Sequence, residues 1–162
     1  MIIKKLAKGI VLCSMASFLF VGVGNAGEKT TKPSKQEAAK LALLHQTNGN
    51  KYDDNGQLKE AIDEYRQSLE YVADDTNTLF NLAVVYLKVN KPADAAAVLE
   101  KVVKIATDDT ESYNLLGIAY RGCGRETEAK KAWETSLKIN QDQPKIKAMM
   151  DEKVDSVPTQ QN

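Results

Sequence analysis

The residues that could do chemistry are few, and their types and spacing do not assemble a reactive site. His45 is the only histidine, and a single imidazole lacks the partners that proton transfer or metal binding requires. The run Asp-Asp-Asn-Gly at positions 53–56 approaches the pattern of a calcium loop, but the acid that this pattern requires at position 51 is replaced by Lys51. Ser68 and Ser136 have no base near them in sequence, and there is no glycine-rich phosphate loop or cysteine–histidine pair. The sequence therefore predicts no catalytic residue, no metal site and no cofactor.

The first 26 residues have the composition of a secretory signal peptide. Lysines at positions 4, 5 and 8 precede an apolar run over residues 9–23, and Gly24-Asn25-Ala26 favours cleavage after Ala26. The run of about 15 residues is shorter than the roughly 20 that cross a bilayer as a helix. We therefore expect a periplasmic or secreted protein, and an uncleaved N-terminus that tethers the chain to the membrane is the alternative.

The charge that remains after residue 26 argues against nucleic acid as a partner. Three of the 22 basic residues and none of the 22 acidic residues lie in the first 26 positions, so 19 basic residues remain against 22 acidic ones. A chain with this slight excess of acid has no electrostatic reason to bind nucleic acid or an anionic membrane surface. Cys123 is then the only cysteine, so no disulfide can form within the chain.

The elements that must position any functional side chain are set by a period of 34 residues. Identical or similar residues recur at this spacing without an insertion in the following columns: Tyr52, Tyr86 and Tyr120; Ala61, Ala95 and Ala129; Asp74, Asp108 and Asp142; Gly49, Ala83 and Gly117; Tyr65, Leu99 and Trp133; Leu69, Val103 and Leu137. Three copies in register indicate a repeat protein.

Each copy has the pattern of two helices and a turn. In the second copy, apolar residues follow helical spacing over residues 79–86 and again over residues 95–106. Between the two stripes, Gly56, Asn90 and Gly124 share one column, and these residue types accept the left-handed conformation that ends a helix. A single pair of helices cannot bury both stripes, so the copies must stack into a solenoid.

At these columns the chain resembles the tetratricopeptide repeat family. The match is to that family's period, to the small and aromatic columns of the first helix and to the alanine of the second helix, and it covers about residues 42–143. The proline usual at the end of each unit is replaced by Ala73, Thr107 and Gln141. The resemblance implies an all-α, right-handed α-solenoid of three helix pairs, at about 42–75, 76–109 and 110–143, closed by a C-terminal capping helix.

The segments outside the repeats complete the predicted domain, which spans residues 34–154. Ser34 and Glu37 form the pattern of a capping box, so the first helix is expected to begin near Ser34 and to run long. An apolar stripe after Pro144 predicts the capping helix over 144–154. Residues 27–33 are predicted to be a linker and residues 155–162 a disordered tail.

A partner is expected to bind on the concave surface, which the first helices of stacked pairs line. The apolar side chains of Phe80, Val84 and Ile118, together with asparagine amides, suit an extended peptide or a partner helix. Packing of Ile118 between adjacent first helices is the alternative. The residues predicted to form this groove are Gln46, Asn50, Asn77, Phe80, Asn81, Val84, Lys88, Asn114, Ile118 and Arg121.

Chaperone-binding members of the family grip a C-terminal carboxylate with basic residues flanked by asparagines. The matching positions here are Gln46, Asn50, Asn81, Glu111 and Leu115, so both asparagines are present and the basic residues are not. We therefore do not expect this chain to bind such a tail. The hypothesis is a non-enzymatic adaptor or assembly factor of the bacterial cell envelope, which binds an unidentified protein or peptide partner. The alternatives are a structural scaffold that self-associates into homo-oligomers and a scaffold that an uncleaved N-terminus tethers to the membrane.

Overall fold

A computed structural model describes residues 32–151 of the 162-residue chain. The predicted signal peptide, residues 27–31 of the predicted linker, residues 152–154 of the predicted capping helix and the predicted tail lie outside the described residues. This part of the chain contains seven helices and no strand: α1 Lys35–Asp54, α2 Leu58–Tyr71, α3 Thr76–Lys88, α4 Pro92–Ile105, α5 Thr110–Gly122, α6 Glu126–Ile139 and α7 Pro144–Asp151. Among these seven, no helix is both long enough and apolar enough to cross a membrane.

Local sequence rules account for where the helices begin. The backbone N–H of Glu37 donates to Ser34 Oγ at 3.3 Å, and the backbone N–H of Ser34 donates to Glu37 Oε2 at 2.9 Å, which completes the predicted capping box of α1. Asp75 and Asp109 cap α3 and α5 by accepting from two backbone N–H groups each. Pro92 stands in the first turn of α4, where a missing N–H has no helical partner to lose.

The turns within the helix pairs have the predicted backbone. Gly56, Asn90 and Gly124 adopt φ of 75°, 57° and 72°, which is the left-handed region. In each turn, the residue that follows donates its N–H to the carbonyl of the tyrosine column, as Lys91 does to Tyr86 at 2.8 Å. The second helix of each pair therefore folds back antiparallel on the first.

Size complementarity between two columns fixes how closely the helices of a pair approach. A Cβ added to Gly49 would lie 2.6 Å from Tyr65, and one added to Gly117 would lie 2.1 Å from Trp133 Nε1. In the middle pair the same columns hold Ala83 and the smaller Leu99, and both are fully buried. Sequential stacking of the three pairs and of α7 confirms the expected all-α solenoid of three helix pairs with a C-terminal helix.

The outward face of α1, at the N-terminal end of the stack, carries polar residues at positions 48, 51 and 55 and the exposed Leu44 one turn before them. On α3 and α5 the corresponding face meets the preceding pair, because Tyr86 accepts from Arg66 Nε at 3.0 Å and Tyr120 donates to Glu100 at 2.8 Å. The columns on this face read Asn48, Leu82 and Leu116; Lys51, Val85 and Ala119; Asn55, Val89 and Cys123. The first copy therefore replaces stacking residues with solvated ones, as terminal repeats require.

Candidate functional site

The concave groove is the surface that the exposed sides of α1, α3 and α5 form, and its middle is partly apolar. Phe80 and Val84 on α3 and Leu115 on α5 are all half-buried. Phe80 and Leu115 also pack against the core. Asn77 lies exposed in the first turn of α3. The groove thus has a shallow apolar floor.

A hydrogen-bonded amide pair crosses from α1 to α3 beside this floor. Asn50 Oδ1 accepts from Tyr65 Oη at 2.8 Å and from Asn81 Nδ2 at 3.0 Å. Two donors satisfy both lone pairs of this oxygen, so the orientation of the Asn50 amide is fixed. The NH₂ group of Asn50 and the Oδ1 of Asn81 are left for a ligand, as one donor beside one acceptor.

The Tyr65 hydroxyl that fixes this pair stays protonated. Burial first, and then the carboxylates of Asp53 and Asp54, raise the pKa of Tyr65 to about 12. A neutral phenol can donate to Asn50, whereas a phenolate could not. Sequence reasoning missed Tyr65 as a functional residue, because its column marks it as core.

Two further predicted groove residues hold neighbouring first helices together. Gln46 Nε2 donates to Thr78 Oγ1 at 2.9 Å. Lys88 Nζ lies 2.7 Å and 2.8 Å from the two carboxylate oxygens of Asp53. The positive charge of Lys88 is therefore matched by an acid of this chain.

The predicted groove residues on α5 all contact α7 or the segment before it. Ile118 packs with Met149 and Met150 around Trp133. Asn114 Nδ2 donates to Gln143 Oε1 at 2.6 Å. The guanidinium of Arg121 donates to the backbone carbonyl of Met149 and lies 4.4 Å from the centre of the Trp133 ring. At this end of the groove, α7 covers residues that the sequence placed on the open surface.

His45 packs within its own helix pair. Its Nδ1 lies 2.8 Å from Glu64 Oε2, and its ring stacks on Tyr71 with 5.7 Å between the ring centres. Within residues 32–151 no three histidine, cysteine or acidic side chains are grouped so that they could hold a metal ion. Cys123 is half-buried at the C-cap of α5.

Comparison with protein-family models supports the repeat that the sequence predicts. One family model for the tetratricopeptide repeat matches residues 54–117, and a second matches residues 110–143, the range predicted for the third copy. Together they span 54–143, which is more than half of the chain. No curated protein matches the chain by sequence.

Solved tetratricopeptide repeat domains share the fold. The first such domain of Spaghetti (RPAP3), bound to the HSP90 peptide SRMEEVD, is 26% identical, with a TM-score of 0.65 over 69% of this chain and 89% of that chain. The first domain of human RPAP3 is 26% identical, with a TM-score of 0.63 over 69% and 88%. The second domain of human RPAP3, in complex with the HSP70 peptide SGPTIEEVD, is 20% identical and supports the fold alone, with a TM-score of 0.64 over 72% and 95%.

Proposed function

Because this chain belongs to the tetratricopeptide repeat family, we propose that it is a non-enzymatic adaptor that holds an extended peptide or a partner helix in its concave groove. The observation that carries this proposal is the fixed amide pair beside a half-buried apolar floor. A peptide backbone offers a carbonyl oxygen to the Asn50 NH₂ group and an N–H to Asn81 Oδ1. Phe80 and Val84 then receive the apolar side chains of the ligand.

The ligand chemistry differs from that of the acidic tails bound by similar structures. The peptides SRMEEVD and SGPTIEEVD both end in Glu-Glu-Val-Asp, which has four acidic groups when the terminal carboxylate is counted. Here Gln46, Glu111 and Leu115 stand at the positions that match the basic residues of chaperone-binding members of the family. Glu111 is exposed and would repel an acidic tail. We therefore propose an uncharged or basic segment with apolar side chains as the ligand.

The self-associating scaffold is the weaker candidate. Stacking of copies end to end needs apolar faces at both ends of the solenoid. The outward face of α1 carries Asn48, Lys51 and Asn55 and only one exposed leucine, Leu44, and α7 covers the other end. These features favour a closed unit that binds a different protein.

A selection experiment tests the groove. Random 12-residue peptides would be selected on the wild-type chain, and the affinities of the recovered peptides measured by fluorescence polarisation. We expect sequences with apolar residues and without an acidic C-terminus. Val84→Asp and Asn81→Ala should each weaken binding about tenfold, a change on the order of 1.4 kcal/mol.

The matched control is Ala97→Asp, which places the same acid at an exposed position of α4. It should leave the affinity unchanged, and circular dichroism should show that all three variants remain helical. Equal binding by wild type and Val84→Asp would refute the groove. Selection of peptides ending in acids would refute the proposed ligand chemistry.

We further propose that the protein acts in the bacterial cell envelope, in the periplasm or outside the cell. The composition of residues 1–26 supports this proposal. Fractionation and N-terminal sequencing of the native protein test it. A chain that begins at Gly27 in the soluble envelope fraction is expected. A chain in the membrane fraction that retains residues 1–26 would favour the tethered alternative, and a chain found in the cytoplasm would refute the location.

A further inference from the structure

The column at positions 64, 98 and 132 lies on the second helix of each pair, and its residue differs in every copy. In the first copy, the Glu64 carboxylate lies 2.8 Å from His45 Nδ1 and accepts from Asn48 Nδ2 at 3.4 Å, so it bridges α1 and α2. In the second copy, Val98 is half-buried against the core. In the third copy the column holds Ala132, which has the smallest side chain of the three. The third copy therefore lacks the side chain that fills this place in the first two.

An open cleft of about 250 Å³ lies at this place, between α5 and α6. The buried side chains of Leu116 and Ala132 line it, together with the half-buried rings of Tyr113 and Tyr120. Tyr120 also donates to Glu100 of α4 at 2.8 Å, so the cleft lies on the side of α5 that faces α4. Pockets for drug-sized ligands are larger, about 300–1,000 Å³. The cleft therefore has room for one inserted side chain.

Two polar groups at the cleft are not engaged by this chain. Tyr113 holds the position that His45 has in the first copy, and Lys131 also lines the cleft. Within residues 32–151, the Tyr113 hydroxyl forms no hydrogen bond and Lys131 forms no ion pair. A hydroxyl donor and an ammonium group beside an apolar floor suit a carboxylate. In the first copy, Glu64 of this chain supplies a carboxylate at the equivalent place.

The remaining charges at the cleft neutralise each other. Glu128 Oε1 accepts from Arg125 Nε at 3.0 Å. This hydrogen bond first, and the nearby charge of Lys131 last, lower the pKa of Glu128. The Arg125 guanidinium lies 4.2 Å from the centre of the Tyr120 ring, so this ion pair stands at the Tyr120 end of the cleft. Lys131 is therefore the charged lining residue that still lacks a close partner among residues 32–151.

We propose that this cleft is a second docking site, whose occupant is a segment of a partner protein with an apolar side chain next to an aspartate or glutamate. The apolar side chain enters beside Ala132 and takes the place that Val98 fills in the second copy. The neighbouring carboxylate accepts from Tyr113 Oη and pairs with Lys131, as the Glu64 carboxylate bonds its own pair. An apolar anchor in a small pocket with a charged rim is typical of protein interfaces. The cleft shares no lining residue with the concave groove, and its preference for an acid is the opposite of the one proposed there.

The test uses the full chain with Val84→Asp, which places a charge in the concave groove and leaves the cleft intact. Random 12-residue peptides would be selected on this variant, and the affinities of the recovered peptides would be measured by fluorescence polarisation. We expect sequences with a leucine, isoleucine or aromatic residue next to an aspartate or glutamate. Wild type and Val84→Asp should bind these peptides equally, because Val84 does not line the cleft.

Two substitutions then separate the apolar and the charged part of the site. Ala132→Val copies the second copy and should weaken binding about tenfold, because the added methyl groups occupy the space of the anchor. Lys131→Glu should also weaken binding about tenfold, because the new carboxylate repels that of the peptide. The matched control is Lys130→Glu, the same change at an exposed residue of α6 that does not line the cleft. It should leave the affinity at the wild-type value.

The proposal is overturned if Ala132→Val binds the recovered peptides as tightly as wild type, or if Lys131→Glu and Lys130→Glu have the same effect. Recovery of no peptide, or only of peptides without acids, would also overturn it. If the free acid 3-phenylpropionate binds the cleft in NMR titrations and no peptide is recovered, the cleft is a site for small organic acids and the partner protein is refuted. The comparison of Lys131→Glu with Lys130→Glu decides the matter even if circular dichroism shows that Ala132→Val is unfolded.

Discussion

The substitution Gly117→Ala sets helix propensity against packing, and the structure decides which effect is larger. Gly117 lies within α5, where alanine is favoured over glycine by roughly 1 kcal/mol. The added Cβ would stand 2.1 Å from Trp133 Nε1 and 2.4 Å from Trp133 Cε2. Because the Trp133 side chain is fully buried, the indole cannot move into solvent to relieve this overlap.

The expected loss follows from two contacts of the indole. Forcing an extra methyl group into a packed core costs about 1–3 kcal/mol. Displacement of the ring also breaks the hydrogen bond from Trp133 Nε1 to the Asn114 carbonyl, 3.0 Å long and worth on the order of 1 kcal/mol. After the gain in propensity is subtracted, we expect Gly117→Ala to lower the free energy of unfolding by about 2 kcal/mol.

The assay is urea unfolding of the full chain, followed by circular dichroism at the helix band so that no signal depends on the indole. The double variant Gly117→Ala, Trp133→Leu copies the pairing of Ala83 with Leu99 in the middle copy. The free energy of unfolding of the double variant should therefore fall by less than the sum of the losses measured for the two single variants.

Gly49→Ala provides a graded comparison, because its Cβ would meet Tyr65 at the longer distance of 2.6 Å. We expect a smaller loss there. If Gly117→Ala is as stable as wild type, or if the double variant shows no favourable coupling, then the small column does not set the spacing between the helices.

Two further predictions concern the tyrosines and the end of the stack. Burial first, and then the Glu100 carboxylate, raise the pKa of Tyr120 to about 12, as burial does for Tyr65. The folded state therefore holds these two phenolic protons more tightly than the unfolded chain does. The stability that they contribute should be fully present below pH about 10 and should fall between pH about 10 and about 12. Denaturation midpoints that do not change over this range would contradict the raised pKa values. Replacing Asn48, Lys51 and Asn55 by Leu, Val and Val copies the face of α3, and light scattering should then detect self-association that the wild-type face does not support.

The sequence predicts most of the fold because the period combines local rules that act alike in every copy. The left-handed column is an example, since Gly56 and Asn90 are residue types that tolerate φ above zero, and both adopt it. The capping box at Ser34 is another, because it needs only residues three positions apart. Such signals depend on neighbours along the chain, so a single sequence is enough to read them.

The candidate site is less predictable, because its contacts join residues at separations that the period does not mark. Asn50 meets Asn81 across 31 residues, and Lys88 meets Asp53 across 35. Comparing residues that lie 34 positions apart compares equivalent positions of the copies. These two pairs join positions that are not equivalent, so the comparison does not detect them. The amides therefore look like free ligand contacts in the sequence, whereas one of their oxygens is already satisfied by this chain.

Ile118 shows a second limit. Helical spacing places its side chain on the inner side of α5, and that direction is independent of what lies opposite. The cover comes from α7, whose position depends on Trp133 and on the segment at Gln143. The cover of Ile118 therefore depends on residues outside α5.

Departures from the period carry information that the period itself does not. Where all copies agree in type, as in the alanine column, the residue serves the stack. Two departures lie at the ends of the stack: Lys51 replaces the Val85 of the next copy, and Gln143 replaces Asp109. The first departure closes a face, because burying a lysine without a partner would cost more than the stacking returns. The second places before α7 a side chain that binds α5 and the end of α6 instead of capping its own helix, so the two ends of the solenoid differ in kind.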